Sequence, residues 1–549
     1  METGRYRNEL HYLAPNDASL QQVAARLADD QYFLVTLVAN DEKDLFGPDR
    51  FRLYYIFSHP SADLFVSVVY LLRTGNDTYP SIRPHFGGVE PFEREISDLL
   101  GLRPQGQALN RGHGARLHQG CYPAGLYPLR RDKSLVEIRQ AVRDFFCRNH
   151  ACQASNSHRV HGRHLREIGD GEMLLPVGPI HAGVIEPGHF LFHLGGEVVD
   201  KLEIKLGYTH KGIERLFQEF PLCDGRGTKL AEFVSGDSAF SHALAYCRAV
   251  EKLMDVSIPL PARLARALFL ELEHLANHIG DVGALAHDVA VDLIASDLAV
   301  LRENVLELCR QTSGHRLLFD INRPGGVALE ASLDTQKIGK EITNVAREFE
   351  ALSQTLGQMQ AFRRRAVGIS VLQPAMAIKL GVTGLVARAS GLQRDFRLNH
   401  PDPEGIYTTS AFREIITQEG KRARAFGETT GDVFARFVER ARQVEISVQL
   451  ITFMLGQWND TWRERDYVAD IVFPDAIRRR TALGYAEGWR GDIVYWLMVD
   501  SAGRIYRCKV RDPSMLNWPA LEEAMIGAYL SDFPLTNKSF NLSYSVNDL

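Results

Sequence analysis

Residues 338–359 read IGKEITNVAREFEALSQTLGQM, and their apolar side chains follow one another at alternating steps of four and three positions. These side chains are Ile338, Ile342, Val345, Phe349, Leu352, Leu356 and Met359. Because this spacing puts them on one side of an α-helix, the stretch predicts a long helix that packs against other long helices. A coiled-coil dimer usually has a seam longer than about three heptads. We therefore favour the core of a helical bundle.

The helical period extends on both sides of this seam, over about residues 206–460. On its amino side, HFLFHLGGEVVDKLEIKLG at 189–207 alternates apolar and polar positions around a Gly-Gly pair, which is typical of a two-stranded hairpin. On its carboxyl side, GDIVYWLMVDSAGRIYRCKV at 491–510 predicts another hairpin. The following ALEEAMIGAYL at 520–530 predicts a short helical piece.

The amino-terminal part of the chain mixes helical and strand-like patterns. FRLYYIFSHPSADLFVSVVYLL at 51–72 carries β-branched and aromatic runs on either side of a His-Pro-Ser turn, which predicts a hairpin. EREISDLLGL at 93–102 predicts a short acidic helix, and we interpret its closely spaced carboxylates as an exposed helical turn. Residues 105–132 are rich in Gly, Arg and Pro, which predicts an irregular loop over the surface.

These patterns together predict an α+β protein with more than one domain. With 549 residues, the chain is too long for one ordinary core. We assign residues 1–150 to an α/β domain and residues 151–174 to a linker. Residues 175–549 then form a mainly helical domain with small β-hairpins.

Composition and charge narrow the class of protein further. Positive side chains number 63 and negative ones 68, and a net charge of -5 gives no support for nucleic-acid binding. The amino-terminal METGRYRNEL has no apolar core, so we expect no secretory signal. The apolar run LFVSVVYLL at 64–72 has about half the length of a membrane-spanning helix. If the protein works at a membrane, we expect partners to hold it there.

Cysteine usage indicates a reducing compartment. The seven cysteines are Cys121, Cys147, Cys152, Cys223, Cys247, Cys309 and Cys508. None of them forms a C-x-x-C pair, and no secretory signal accompanies them. We therefore predict buried thiols in the cytoplasm, and neither a disulfide framework nor a metal site built on cysteine pairs.

Several segments of the second domain resemble one known family. They are GPIHAGVIEPGHF at 178–190, LGYTHKGIERL at 206–216, ELEHLANHIGDVGALAHDVA at 271–290, RPGGV at 323–327, GDVFARFVER at 431–440, EGWRGDIVYW at 487–496 and KVRDPSMLNWPAL at 509–521. In this order they are similar to the large subunit that complex I, as its D-type subunit, shares with the membrane-bound nickel–iron hydrogenases. This hydrogenase group includes formate hydrogenlyase and hydrogenase-4, and IEPGHF and NHIGDVGAL are closer to it than to complex I.

The first domain resembles a second part of the same machinery. HFGGVEPFEREISDLLGL at 85–102 and YPLRRD at 127–132 are similar to the C-type subunit of complex I. Fused proteins of the hydrogenase group carry this domain at the same place. The resemblance implies an N-terminal α/β domain like the complex I C-type subunit, followed by a mainly helical domain like the D-type subunit and the nickel–iron hydrogenase large subunit.

The family's metal centre has ligands that this chain lacks. Hydrogenases of the group hold nickel with two C-x-x-C pairs, because thiolates are soft ligands that suit nickel. The aligned positions are Ser235 and Ser238 for the early pair, and Ser543 and Val546 for the late pair. A serine hydroxyl stays protonated near neutral pH, and valine offers no ligand. We therefore expect no nickel–iron centre and no metal bound by this chain.

In the complex I branch the same cavity holds a quinone head group. There a tyrosine stands on the loop that replaced the nickel ligands, and a histidine bonded to an aspartate stands opposite. In this sequence the tyrosine position is Gly236, while His181 and Asp288 match the histidine and the aspartate. Glu186 matches a glutamate that carries protons in the hydrogenase branch. These side chains either relay protons or brace an ancestral loop by hydrogen bonds, and both interpretations stay open.

Asp237 occupies a position where the hydrogenases have an apolar residue. It lies between the two substituted positions of the early pair, and Arg490 aligns with an arginine that lies over the hydrogenase active site. Asp237 could pair with Arg490 and fill polar space in the emptied cavity. It could also cap the helix that starts at Ser238, because Asp and Ser favour helix starts. Of the two, we favour the cap.

Two further patterns have structural explanations. His274 and His278 are four positions apart on one helical face, but no third metal ligand lies near them in sequence, so we favour structural histidines over a metal pair. RPGGV lacks the strand and the G-x-G-x-x-G spacing of a dinucleotide site. Any link to NADH therefore belongs to another subunit.

The resemblance leads to two hypotheses about function. In the first, the chain is an oxidoreductase subunit that lies over the [4Fe-4S] cluster of a small iron–sulfur partner similar to the B-type subunit of complex I. It passes electrons to quinone or another carrier, coupled to ion transport. In the second, it is a catalytically silent scaffold between peripheral and membrane arms. Both imply antiporter-like membrane partners and attachment to the cytoplasmic face of the membrane, and neither requires a cofactor held by this chain.

Overall fold

A computed structural model describes most of the chain. The described residues are 2–6, 8–47, 51–73, 75–106, 122–153, 172–181, 185–222, 225–329, 333–401, 406–426, 429–459, 461–469, 471, 481–547 and 549. In these ranges no helix combines the length and the apolar character that crossing a membrane requires. The described cysteine side chains, Cys247, Cys309 and Cys508, are buried free thiols as predicted. Cys121 and Cys223, and the side chains of Cys147 and Cys152, lie outside the described residues.

The amino-terminal unit is built on one mixed sheet. Its elements are β1 (Glu2–Tyr6), β2 (Glu9–Ala14), α1 (Asp17–Asp29), β3 (Phe33–Asp41), α2 (Lys43–Phe46), β4 (Phe51–Ser58), β5 (Phe65–Leu71), β6 (Thr78–Pro80), α3 (Glu90–Leu100), β7 (Arg103–Gln105) and α4 (Leu135–Gln153). The sheet has five strands in the order β1-β2-β5-β4-β3. Strands β4 and β5 pair antiparallel, which confirms the hairpin predicted over 51–72.

Helix α3 contains the predicted acidic segment, but its central carboxylates are not exposed. Glu93 and Glu95 are both buried. Glu93 accepts a hydrogen bond from the Ser81 hydroxyl at 3.0 Å, and Glu95 binds Lys509 of the second unit. The prediction of an exposed turn was therefore wrong, because this side of the helix faces the rest of the protein.

The second unit begins with a small sheet and continues as helices. Its elements are β8 (Glu172–Val177), β9 (His189–Gly195), β10 (Val198–Lys205), α5 (Ile213–Phe217), α6 (Arg226–Glu232), α7 (Ala239–Met254), α8 (Leu260–Asp288), α9 (Asp292–Ser313), β11 (Asn322–Arg323), β12 (Gly326–Val327), α10 (Thr335–Gln358), α11 (Gln360–Ala366), α12 (Pro374–Leu380), α13 (Gly384–Ala389), α14 (Phe396–Asn399), α15 (Ser410–Phe426), α16 (Val433–Gly456), β13 (Thr481–Gly488), β14 (Gly491–Val499), β15 (Ile505–Arg511), α17 (Pro513–Ala524) and α18 (Phe533–Phe540). The hairpins β9–β10 and β14–β15 confirm the two predicted from sequence.

The long helices form one bundle, as the apolar seam predicts. Helix α8 packs against α9 and α16, and α10 packs against the same two helices. The seam residues of α10 lie in the common hydrophobic core, with Leu352 and Met359 at its edge. The α+β fold class is thus confirmed. The domain limits stay a prediction: α4 extends to Gln153, β8 begins at Glu172, and most of the proposed linker lies outside the described residues.

The two units meet along an apolar junction between two sheets. Side chains of β3, β4 and β5 pack against the three-stranded sheet β13-β14-β15. The buried members of this cluster are Val35, Val38, Ile56, Phe65, Phe396, Leu483, Tyr485, Val494, Trp496, Met498 and Tyr506. Burial of so many large side chains stabilises a fixed arrangement of the units, since each contributes about 1.5–3 kcal/mol on leaving water.

Gly88 allows two backbones to touch at another contact between the units. A Cβ atom on Gly88 would lie 2.4 Å from the carbonyl oxygen of Leu380, at the end of α12. Because a backbone oxygen cannot swing aside, we expect Gly88→Ala to lower the free energy of unfolding by about 1–3 kcal/mol in urea titrations. Gly236→Ala is the control, because a Cβ there meets nothing within 4 Å. Equal losses in both variants would contradict the clash.

Candidate functional site

Two distant segments meet at the candidate site. The turn from Ser235 to Ser238 lies between α6 and α7, and residues 541–547 follow α18. The Oγ atoms of Ser235 and Ser543 are 3.2 Å apart, although 308 positions separate them in the sequence. The structure thus brings together residues that the alignment matched to two separate ligand pairs.

Helix α17 holds the backbone of Ser543 from both sides. The Ser543 amide donates to the Ser514 hydroxyl at 3.1 Å, and the Trp518 indole donates to the Ser543 carbonyl at 3.1 Å. Two residues further on, the Ser545 hydroxyl donates to the carbonyl of Val234 at 3.0 Å. The carboxyl-terminal segment is therefore tied both to α17 and to the turn before α7.

Asp237 and Arg490 form a bidentate ion pair inside this site. The two guanidinium Nη atoms donate to the two carboxylate oxygens at 2.8 and 2.6 Å. The hydroxyls of Ser235 and Ser238 also donate to Asp237, at 2.8 and 3.2 Å. The Nε atom of Arg490 donates to the Asn541 carbonyl at 2.6 Å. One guanidinium therefore joins the early turn to the carboxyl-terminal segment.

The favoured interpretation of Asp237 as a helix cap was wrong. Within the described residues, no side chain of the turn accepts a hydrogen bond from the first backbone amides of α7. Glu273, on α8, accepts them instead: the amides of Phe240 and Ser241 donate to its carboxylate at 2.8 and 3.2 Å. Because another helix satisfies these amides, Asp237 is left to pair with Arg490.

The surroundings of Asp237 keep it ionised. Burial raises the pKa of this carboxyl, but Arg490 and the hydrogen bonds from Arg490, Ser235 and Ser238 outweigh burial and lower the pKa to about 2. Only 6% of the Arg490 side chain is exposed, against 38% for Asp237. The guanidinium carbon also lies 3.9 Å from the centre of the Trp489 ring.

This ion pair predicts a specific dependence of stability on pH. The pKa of Asp237 in the folded protein, about 2, lies below its ordinary value of 3.8. The stabilisation is therefore complete above about pH 4 and is lost as the pH falls towards 2. We expect the difference in free energy of unfolding between the wild type and Asp237→Asn to be constant from about pH 7 to 5 and to shrink below about pH 4. Urea titrations across this range measure it, and an unchanged difference at the acid end would exclude the charge as its cause.

His181 and Glu186 lie on another side of the carboxyl-terminal segment. Glu186 accepts a hydrogen bond from the Ser545 amide at 2.9 Å. The Nδ1 atom of His181 is 3.2 Å from the Pro179 carbonyl, and its ring centre is 6.1 Å from that of Tyr544. Among the described residues, the buried Nε2 atom of His181 has no hydrogen-bond partner. No described side chain or backbone group therefore competes with a ligand for this nitrogen.

Asp288 and His181 form no hydrogen bond with each other in the described part of the chain. It is the last residue of α8, and its buried Oδ2 atom also lacks a hydrogen-bond partner among the described residues. Burial raises the pKa of Asp288, and nearby cations, Lys538 foremost, oppose that shift. The structure therefore brings His181, Glu186 and Arg490 into contact with the carboxyl-terminal segment.

The residues at the four aligned positions do not fit a nickel–iron centre. Ser235, Ser238 and Ser543 offer hydroxyl oxygens that already hydrogen-bond within the protein. Val546 is buried in the main apolar core with 1% of its surface exposed. These residues offer no ligand that suits a metal with a preference for thiolates. The described ranges also contain no group of three or more His, Cys, Asp or Glu side chains that could hold a metal ion.

Two known families match the chain, one for each unit. The family described as respiratory-chain NADH dehydrogenase, 49 Kd subunit, matches residues 294–475 and 471–548. The family of the 30 Kd subunit matches residues 14–137. The chain is a fusion of complex I 30-kDa and 49-kDa domains. This fusion confirms the family resemblance inferred from the sequence motifs.

Relatives of the fused chain include hydrogenase subunits over most of its length. Formate hydrogenlyase subunit 5 of Escherichia coli (strain K12) is 28% identical over 520 residues, which cover 94% of this chain and 84% of the relative. Hydrogenase-4 component G of the same organism is 28% identical over 524 residues, with the same coverage. The D-type subunit of NADH-quinone oxidoreductase from Chlorobaculum tepidum is 26% identical over 377 residues, or 67% of this chain and 90% of the relative.

His242 and Asp512 are site residues of the fused chain that no sequence pattern indicated. His242 lies 3.2 Å from Asp512 through Nε2 and 3.0 Å from the Tyr495 hydroxyl through Nδ1, and all three are buried. Asp512 also caps α17 by accepting the Ser514 amide at 2.7 Å. The only signal in the sequence was spacing, since His242 lies one helical turn after Ser238. Inside an apolar helix, a lone histidine does not reveal its distant partner.

The paired histidines of α8 have separate roles in the structure. His274 hydrogen-bonds to the Glu487 carbonyl through Nε2 at 3.0 Å. His278 is fully buried and packs edge-on against Trp489, with ring centres 6.0 Å apart. Burial, with smaller effects from His274 and three surrounding arginines, holds the pKa of His278 well below its ordinary value. His278 is therefore a neutral core residue that packs against Trp489 beside the site.

Proposed function

We propose that the fused chain is a peripheral-arm subunit of a membrane-bound oxidoreductase complex and works without a nickel–iron centre. Its relatives are subunits of hydrogenase and NADH-quinone oxidoreductase complexes, which implies partner subunits for this chain as well. In the proposal, the chain lies over a [4Fe-4S] cluster of a small partner subunit. Electrons pass from the cluster to quinone or another carrier, coupled to ion transport by antiporter-like membrane subunits on the cytoplasmic side.

The ion pair between Asp237 and Arg490 is the observation that carries this proposal. It lies beside Ser235 and Ser238, two of the aligned ligand positions, and their hydroxyls donate to the carboxylate. Because the pair is electrically neutral as a unit, the site needs no metal cation to balance Asp237. The nickel-free interpretation therefore rests on what occupies the space and on the lack of thiolates together.

The Nε2 atom of His181, which has no hydrogen-bond partner among the described residues, supports a redox role over a silent one. A buried ring nitrogen without a partner costs free energy unless a ligand or water meets it. Each electron that a quinone takes up is matched by a proton, and a histidine is suited to supply it. A different observation favours the scaffold alternative. Asp237 and Arg490 bind each other and their neighbours within the chain, so neither side chain needs a ligand as its partner.

Metal analysis of the purified complex tests the nickel-free part of the proposal. We expect iron in the partner subunit and no stoichiometric nickel. Stoichiometric nickel bound to this chain would overturn it.

Quinone reduction by the assembled complex separates the redox and scaffold hypotheses. We expect His181→Asn to lower the rate by about tenfold or more with assembly unchanged, because the variant lacks the titratable ring. His193→Ala is a matched control, since His193 is also partly buried and its Nε2 atom pairs with Glu203 at 3.1 Å. An unchanged rate in the His181 variant, or no reduction of quinone or of any other carrier by the wild type, would favour the scaffold.

A further inference from the structure

Strand β15 presents three buried cations on one face. Arg507, Lys509 and Arg511 alternate with apolar positions, so they point to the same side of the strand. All three reach the amino-terminal unit. Arg507 donates to the Ala39 carbonyl at 3.4 Å, and Arg511 donates to the Val35 carbonyl at 2.9 Å.

Lys509 makes a buried charged contact between the units. Its ammonium group lies 2.7 Å from each carboxylate oxygen of Glu95, on α3. It also donates to Glu214 of the second unit at 2.9 Å. Only 3% of the Lys509 side chain is exposed. In such surroundings a charge pair is little screened, so the distance between the strand and α3 is tightly defined.

The same stretch of chain leads directly into the candidate site. Strand β15 ends at Arg511 and α17 begins at Pro513, with only Asp512 between them. Asp512 binds His242, and α17 holds the amide and the carbonyl of Ser543 through Ser514 and Trp518.

The start of α17 is also part of the amino-terminal unit's core. Met515 and Leu516 pack in the same apolar cluster as the side chains of α1, α3 and the five-stranded sheet. Residues 507–518, which we name the coupling segment, therefore contact the amino-terminal unit with one set of side chains and the site with another. Within this described segment, no flexible loop separates the two sets.

We propose that Glu95 and Lys509 are positioning residues for the candidate site. Through the coupling segment, the 30-kDa-type domain fixes where Ser543 and its neighbours stand relative to Asp237 and Arg490. The physical reason is that a packed strand and helix transmit a displacement instead of absorbing it. This proposal does not depend on which reaction, if any, the site performs.

Hydrogen–deuterium exchange of the full chain tests this coupling. Glu95→Gln removes the charge that meets Lys509. Glu93→Gln is the matched control, because Glu93 lies on the same helix, is also buried, and bonds to Ser81 inside its own unit. We expect amide exchange in residues 541–547 to rise by about tenfold in the Glu95 variant. In the Glu93 variant we expect a change only within the amino-terminal unit.

Three results bear on the proposal. A rise at 541–547 that is specific to the Glu95 variant supports it, with helix α10 as an internal reference that stays unchanged. Equal rises in both variants, or a rise confined to residues near α3, would overturn it. If Glu95→Gln does not fold, Glu95→Asp against Glu93→Asp gives the same comparison, because both keep the carboxyl group and shorten its reach.

Discussion

Replacing Asp237 by alanine should lower the free energy of unfolding by about 2–4 kcal/mol near pH 7. The variant leaves the guanidinium of Arg490 buried without its carboxylate, and removing one partner of a buried pair costs more than the pair contributes. The expected loss lies below that of a fully enclosed pair, because 38% of the Asp237 side chain reaches solvent. Urea titration monitored by tryptophan fluorescence measures it.

A double variant separates this explanation from a simple loss of contacts. Asp237→Ala with Arg490→Met removes both charges and keeps the length of the longer side chain. We expect it to unfold at higher urea concentration than Asp237→Ala alone, since no unpaired charge remains. Recovery should be incomplete, because Arg490 also donates to the Asn541 carbonyl. A double variant no more stable than Asp237→Ala alone would show that the unpaired charge is not the cause.

Helices and hairpins of the fold could be predicted because their patterns are local. The apolar seam of α10 and the alternation in β9–β10 and β14–β15 repeat over a few residues, and each repeat matches the geometry of one element. The same locality explains the error at α3. Nothing near Glu95 in the sequence indicates Lys509, which lies 414 positions away.

The candidate site shows the same division between local and distant information. Family alignment identified Ser235 and Ser543, and the structure places them in contact. Local capping rules misled at Asp237, because the groups that decide its role are Arg490, 253 positions away, and Glu273 on a neighbouring helix. The role of a polar residue near a helix start depends on which of its potential partners no other side chain has already satisfied.

The largest stability loss at the junction should come from Lys509→Met. This change removes the cation that meets Glu95 and leaves that carboxyl buried beside the carboxylate of Glu214. We expect the free energy of unfolding to fall by about 3–5 kcal/mol at about pH 8, in the range measured when a buried ion pair is broken. Arg507 still binds Glu214 at 2.7 Å, so Glu95 is the group left without its lysine.

The loss should depend on pH in a direction that identifies Glu95. Burial already raises the pKa of Glu95 to about 7, with Lys509 opposing it, and the variant removes this opposition. An acid whose folded-state pKa is raised destabilises the fold progressively as the pH rises from its ordinary value, 4.5, to the raised value. The deficit of Lys509→Met should therefore be larger at about pH 8 than at about pH 6, because protonation relieves the buried charge at the lower pH.

Adding Glu95→Gln to Lys509→Met should remove this pH dependence. The amide keeps the shape of the side chain and has no charge to bury, so the double variant should lose similar free energy at both pH values and less than Lys509→Met at the higher one. Urea titrations of the three variants and the wild type at the two pH values measure both effects. A deficit in Lys509→Met that is equal at both pH values, or that survives unchanged in the double variant, would show that the lysine stabilises the junction by packing and not by holding the charge of Glu95.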